Sequence, residues 1–245
     1  SLDIRQEVCA WHEPGFENHV GLRWIIKNDG PQPIHDLYVG LLVDGDIGNH
    51  ADPGAGSDDL AGAVTSLVRQ PEGYWEDHAY GWMRDGDAED ALPGWLGIYA
   101  DGSGLGDAQA VRPANFPPHA IRFLDADFTQ GYLGIPELDG ERYDLLARAG
   151  RDRDVDPAYT SDYAVLMSVG PYEVLHPGEY VILDAALAIA PGTEALQDAM
   201  RRARELSRGR WYNADNNWGT GRSGRETLVC AEDFGHLWND PFNPI

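Results

Sequence analysis

The sequence is short of positive charge and of sulfur and has no long apolar run, and each shortage narrows the field. Among 245 residues, 18 Lys and Arg stand against 41 Asp and Glu, a formal net charge of −23. So acidic a surface repels phosphate backbones and anionic lipid over a Debye length of about 8 Å at physiological salt. Nucleic acid is therefore not an expected partner. No stretch approaches the roughly 18 to 20 apolar residues that cross a bilayer, so membrane insertion is not expected either. The chain opens at Ser1-Leu2-Asp3, directly in an alternating segment, and reads as a processed form or an excerpt of a longer secreted polypeptide.

Cysteine is nearly absent. Cys9 and Cys230 lie near opposite ends, each in a strand-like run. A bridge between them would tie the ends of the domain together, worth about 4 to 5 kcal/mol in the chain-entropy model, and would imply an oxidising compartment. Two buried thiols are the plain alternative. There is no CxxC spacing, and the eight histidines fall into no HExxH or other compact ligand pattern.

What is abundant is turn chemistry. With 29 Gly and 16 Pro, against average shares of about 7% and 5%, many short segments must end in tight turns, which favours an all-β or β-dominated fold. A hydrophobic content of 42% is enough for a substantial core. No internal repeat or low-complexity linker divides the chain, so residues 1–245 are read as a single domain.

Strand patterns run over residues 20–27 and 37–43, and the Asn28-Asp29-Gly30-Pro31 turn between them suggests a hairpin. Residues 52–118 are rich in Gly, Pro, Asp and Trp, with short strand candidates at 73–80 and 95–99 and otherwise long loops. Strands are expected again at 120–127, 163–169 and 180–189, with a short helix at 143–149. The clearest helix spans about 193–208, with Thr193 as N-cap after Pro191-Gly192 and an apolar stripe of Leu196, Ala199, Met200, Ala203 and Leu206. Arg201, Arg202, Arg204 and Arg208 crowd its C-terminal half, as the solvated or dipole-compensating face of a packed helix. The expected architecture is a β-sandwich of antiparallel sheets with long loops and one packed helix.

The sharpest local feature is Asp44-Gly45-Asp46-Ile47-Gly48-Asn49-His50-Ala51-Asp52, followed by Asp58-Asp59. Calcium takes six to eight oxygen ligands, and alternating carboxylates with glycine-permitted bends can aim several oxygens at one point. Asp44, Asp46, Asn49, Asp52, Asp58 and Asp59 are the candidate ligands. The spacing is not that of an EF-hand, and hydrogen-bonded Asx-turns would use the same residues without metal. A second acidic run spans residues 85–90. In a third, at 152–156, the interleaved arginine makes internal ion pairing the simpler reading.

Catalytic signatures are missing. Gly102-Ser103-Gly104-Leu105-Gly106-Asp107 lacks the Lys-Ser/Thr and following helix of a phosphate loop, and there is no Gly-x-Ser-x-Gly elbow. Trp75, Trp82 and Trp95 in the loop-rich middle would suit stacking on sugar rings, and the many carboxylates would suit glycoside hydrolysis.

Two segments resemble a pattern in large secreted bacterial multidomain proteins. One is Ile25-Ile26-Lys27-Asn28-Asp29-Gly30 with Leu37-Tyr38-Val39-Gly40-Leu41-Leu42-Val43-Asp44-Gly45-Asp46-Ile47-Gly48. The other is Asp162-Tyr163-Ala164-Val165-Leu166-Met167-Ser168-Val169-Gly170-Pro171-Tyr172 with Leu175-His176-Pro177-Gly178-Glu179. The resemblance implies export and an accessory β-sandwich-like region of the kind found beside peptidase modules or C-terminal sorting domains, with no established activity of its own. The expectation is thus a non-catalytic extracellular structural or adhesive module, calcium-stabilised, whose partners are other protein chains, itself included. The alternative is a carbohydrate-binding module or secreted glycoside-degrading enzyme that uses loop carboxylates on a polysaccharide.

Overall fold

The computed structural model describes residues 1–11, 15–48, 58–69, 75–86, 94–102, 109–115, 118–125 and 134–207, without the side chains at 67–69, 75–77 and 205–207. In chain order the elements are β1 (Leu2–Ala10), β2 (His19–Asn28), β3 (Ile34–Asp44), β4 (Asp59–Arg69), β5 (Trp75–Asp85), β6 (Trp95–Asp101), β7 (Ala120–Asp125), α1 (Asp139–Ala147), β8 (Gly150–Arg151), β9 (Tyr163–Leu175), β10 (Tyr180–Ala190) and α2 (Thr193–Ser207). They form a β-sandwich. A six-stranded sheet in the order β1-β2-β10-β6-β5-β4 faces a four-stranded sheet in the order β3-β9-β7-β8. Every pairing is antiparallel except the short one between β7 and β8.

Strand alternation places one face of each sheet in the shared core. Ile26, Met83, Ile98, Val181 and Leu183 from the larger sheet meet Ile121, Phe123, Val165, Met167 and Val169 from the smaller, all nearly inaccessible to solvent. Strands β9 and β10 are buried along almost their whole length because helices cover their outer faces as well. On the smaller sheet, Leu145 of α1 packs on Leu124, Ala164 and Leu166. On the larger, α2 sets Leu196, Ala199, Met200 and Ala203 against Tyr80, Tyr99, Ala186 and Ala188. Gly97 permits this approach, since a Cβ there would stand 2.6 Å from Met200.

Two local expectations are corrected. The strands flanking Asn28-Asp29-Gly30-Pro31 are not a hairpin: β2 lies in the six-stranded sheet and β3 in the four-stranded one. The β9–β10 connection crosses between the same sheets, and Asn28 ties the two crossings together. Its side chain donates to the carbonyls of Gln32 (2.8 Å) and Leu175 (2.9 Å), and its own carbonyl accepts from Gly178 (2.8 Å). The second correction is β4, where a loop was expected. Its Ala61, Gly62 and Ala63 have weak strand preference, yet a small residue is needed at Gly62. A Cβ there would lie 2.1 Å from the Trp82 indole of β5.

The α2 interface also sets a pH dependence. His19 and His78 lie beneath the helix at 2% exposure each. Burial holds both imidazoles below the usual 6.5, His78 at about 4. As pH falls from about 6.5 to 4, the unfolded chain takes up protons that the folded one refuses, so stability present above 6.5 is lost toward 4. For His78 the loss is on the order of 3 kcal/mol. His78→Phe is expected to flatten this part of the slope in urea denaturation at pH 7 and 4.5. An unchanged slope in the variant would show that His78 is not its source.

Candidate functional site

The sandwich gathers acids from both sheets at one end. Strand β3 ends at Asp44, with Asp46 just beyond it; β4 begins at Asp59; β5 ends at Asp85; β7 ends at Asp125; and Ser161-Asp162 immediately precede β9. The pairings Asp59 with Asp85, Asp44 with Ala164 and Asp125 with Tyr163 put these positions level with one another, and a bridge from Asp59 to Ser161 joins the two sheets.

Three carboxylates converge closely. Oxygens of Asp44, Asp46 and Asp162 all lie within 4.8 Å of one another. Ligands held at about 2.4 Å on opposite sides of one calcium ion would be about 4.8 Å apart, so the separation suits a shared cation. Asp44 and Asp46 are exposed and Asp162 half-buried.

Asp59 lies behind this triad at 1% exposure. Its Oδ1 accepts from the Ile47 backbone N–H at 3.1 Å, while its buried Oδ2 has no hydrogen-bond partner among the described residues. Burial first, then the charges of Asp58, Asp46 and Asp162, push its carboxyl up to about 8 against the helping Ile47 bond. Burial and the neighbouring Asp46 raise Asp44 as well. A carboxylate so placed must either keep its proton or share a cation. Backbone bonds hold the frame: Gly86 donates to the Asp58 carbonyl (2.8 Å), Ser161 to the Asp59 carbonyl (3.2 Å), and the Ser161 hydroxyl to Asp125 Oδ1 (2.7 Å).

Of the ligands expected from sequence, Asp44 and Asp46 meet, Asp59 is the buried group behind them, and Asp58 adjoins it. Asn49 and Asp52 lie outside the described residues. Asp162 was missed. It is more than a hundred positions from Asp46, and only the β3–β9 register brings it near.

The third acidic run is taken up by pairing, with Arg122 of β7 and with Arg151 just before the run. Asp152 meets Arg122 at 3.3 Å and accepts the Phe123 N–H at 3.2 Å, while Asp154 pairs with Arg151 at 2.6 Å and accepts from Ala63 at 3.0 Å. The second run reaches only to Asp85 and Gly86 before leaving the described residues. On α2, Arg201 and Arg202 pair with Asp198 at 2.7 and 2.9 Å, but Arg204 is buried at 5% exposure rather than solvated.

Trp82 and Trp95 stand 4.9 Å apart, half-buried, with the Arg84 guanidinium 5.4 Å over Trp95. Trp82 spends one face on Gly62, so packing accounts for much of this pair; the Trp75 side chain lies outside the description. Cys9 is buried at 3% exposure and no free thiol occurs among the described residues, while Cys230 lies outside them.

A second charged constellation crosses the outer face of the larger sheet. Glu7, Arg23, Asp184 and Asp101 pair in register across β1, β2, β10 and β6. Arg23 and Asp184, at 2% and 3% exposure, form a two-point ion pair whose outer contact measures 2.7 Å. Tyr99 donates to Asp101 at 3.1 Å. All four charged groups are buried, which suits an internal brace better than a substrate site. An open cavity of about 1040 Å³ runs along α1, lined by Ile135, Pro136, Leu138 and Leu145 among others, and no member of the acid cluster borders it.

No helix among the described residues is long and apolar enough to cross a membrane. No protein-family model matches the chain, and a search of curated proteins finds no significant relative.

Proposed function

We propose that this chain is a non-catalytic extracellular structural or adhesive module whose sandwich is locked at one end by a calcium ion. The observation that carries the reading is Asp59, a buried carboxyl with one oxygen lacking a hydrogen-bond partner among the described residues, set behind the converging Asp44, Asp46 and Asp162. A hard divalent cation fits an all-oxygen donor set. It would join the end of β3 to the segment entering β9 and the start of β4, acting as a clamp between the sheets. Asp44, Asp46 and Asp162 would be direct ligands, and Asp59 would orient or complete the set. Export is supported by the resemblance to regions of large secreted bacterial proteins and by a composition suited to an oxidising, calcium-rich exterior.

Thermal unfolding with and without calcium tests the proposal. At about a hundredfold excess over Kd, binding adds about 2.7 kcal/mol, which for a domain of this size raises Tm by roughly 5 to 10 °C. Superimposable melting curves in calcium and in chelator would reject the clamp.

A further inference from the structure

We propose that α2 is an acid-released latch: when the two imidazoles beneath it, His19 and His78, take up protons, the helix leaves the larger sheet while the sandwich stays folded. The latch is independent of the calcium clamp and uses none of its residues.

Both imidazoles are bonded to one turn of the helix. His19 Nε2 lies 2.8 Å from the Ala199 carbonyl. His78 bonds to the backbone of Met200, the next residue along, in a contact that favours the charged ring and so runs to the carbonyl. A carbonyl only accepts, so the bonding nitrogen of each ring carries its proton and the other nitrogen is a bare lone pair. Those lone pairs, on His19 Nδ1 and His78 Nε2, are buried with no hydrogen-bond partner among the described residues. A second proton would put an N–H where nothing described accepts it, and a charge where water is excluded. The described charges around the rings add to the cost. Arg202 and Asp198 of α2 face His19, which also packs on Phe16. Arg204 and Arg201 of α2 face His78, whose neighbours on the sheet are Ser66 of β4, Tyr80 of β5 and Tyr99 of β6. Asp198, the one carboxylate among these groups, is committed to Arg201 and Arg202.

The helix can leave without the sheet. Of the buried apolar residues that α2 sets on the sheet, only Leu196 and Met200 are large, the others being Ala199 and Ala203, so its hold is light beside that of the sandwich core. Gly192, at φ +96, joins β10 to α2 with nothing within 4 Å of where a Cβ would stand, an open turn about which the helix can swing. Release of α2 and global unfolding both free the two imidazoles from the burial that lowers them. Only global unfolding also gives up the strand-held carboxyls of Glu7 and Asp184, which burial raises. A raised acid favours the folded body as pH falls, whereas a lowered histidine disfavours it. Acid therefore loosens the helix and holds the sheet. The face uncovered, with Tyr80, Tyr99, Ala186 and Ala188, is apolar and aromatic.

The test is hydrogen exchange of the full chain, read by mass spectrometry at pH 7 and 4.5 and expressed as protection over the intrinsic rate at each pH. For His78 alone, a shift from 6.5 to about 4 corresponds to a roughly 50-fold loss of protection between these two pH values, and His19 adds to it. Protection over residues 193–204 is expected to fall by at least that factor, while β9 keeps its own. In the double variant His19→Gln with His78→Asn, a side-chain amide takes the place of each bonding N–H and nothing is left to titrate, so α2 should stay protected at both pH values. An α2 that remains protected in the parent protein at pH 4.5, a parallel loss in β9, or an equal loss in the double variant would each overturn the proposal. Comparing α2 with β9 in the parent protein decides the matter even where the double variant fails to fold.

Discussion

Replacing Arg23 by alanine is expected to cost about 3 to 5 kcal/mol of stability, the range for removing one partner of a buried ion pair. Arg23 is the one positive charge in a row of four charged residues that crosses four strands. Asp184 beside it is raised above the usual carboxylate range by burial, held down by Arg23 and pushed up again by Asp101. Without the guanidinium, buried Asp184 would lose its two-point ion pair while Asp101 and Glu7, the latter paired with Arg5 at 3.2 Å, remain close by on the neighbouring strands. Because whole-domain stabilities run about 5 to 15 kcal/mol, this single change should remove roughly a fifth or more of the total and move the urea midpoint strongly downward. Pairing it with an apolar partner, as Arg23→Met with Asp184→Leu, should recover much of the loss, since a buried pair replaced by packed apolar groups is often close to neutral. A loss under about 1 kcal/mol for Arg23→Ala would mean that the row is well hydrated and not a brace.

The second large effect is on the response to calcium. Asp59→Asn keeps an oxygen for the Ile47 N–H bond while deleting the charge behind the triad. The variant is expected to lose most of the calcium-dependent rise in Tm. In chelator above about pH 8 it should equal or exceed the parent in stability, because the cation-free parent must there ionise a carboxyl raised to about 8 or hold its proton at increasing cost. The sign follows from linkage: a raised acid favours the folded state at low pH and loses that advantage as pH climbs through the shifted value. A purely structural aspartate predicts the reverse, with equal destabilisation of the variant in calcium and in chelator. An Asp59→Asn protein that keeps the full calcium response would remove this residue from the site.

Much of the fold was legible because burial writes itself into the period of a strand. The runs in β2, β3, β9 and β10 carried their β-branched and aromatic residues openly, and α2 announced itself by three- and four-residue apolar spacing after Pro191-Gly192. Strand β4 did not, because contact with the Trp82 indole requires glycine at Gly62, a residue that local propensity assigns to loops. The β2–β3 turn misled for a related reason. Its chemistry is that of a hairpin, but the amide of Asn28 fixes it to the β9–β10 crossing, a contact some 147 positions away.

The acid cluster divides in the same manner. Asp44, Asp46, Asp58 and Asp59 stood out as a local run of side-chain oxygens. Asp162 had no local signal, since its place is set by the pairing of Asp44 with Ala164. The buried row of Glu7, Arg23, Asp101 and Asp184 was silent for that reason too, each residue being an ordinary charge in its own strand.

Counting ions tests the clamp most directly. Protein stripped with chelator and equilibrated with calcium near neutral pH should hold about one tightly bound ion per chain, and Asp46→Ala and Asp162→Ala should each abolish it, because each removes one of the three converging carboxylates. A wild-type chain that retains no calcium, or variants that bind as well as the parent, would contradict the account.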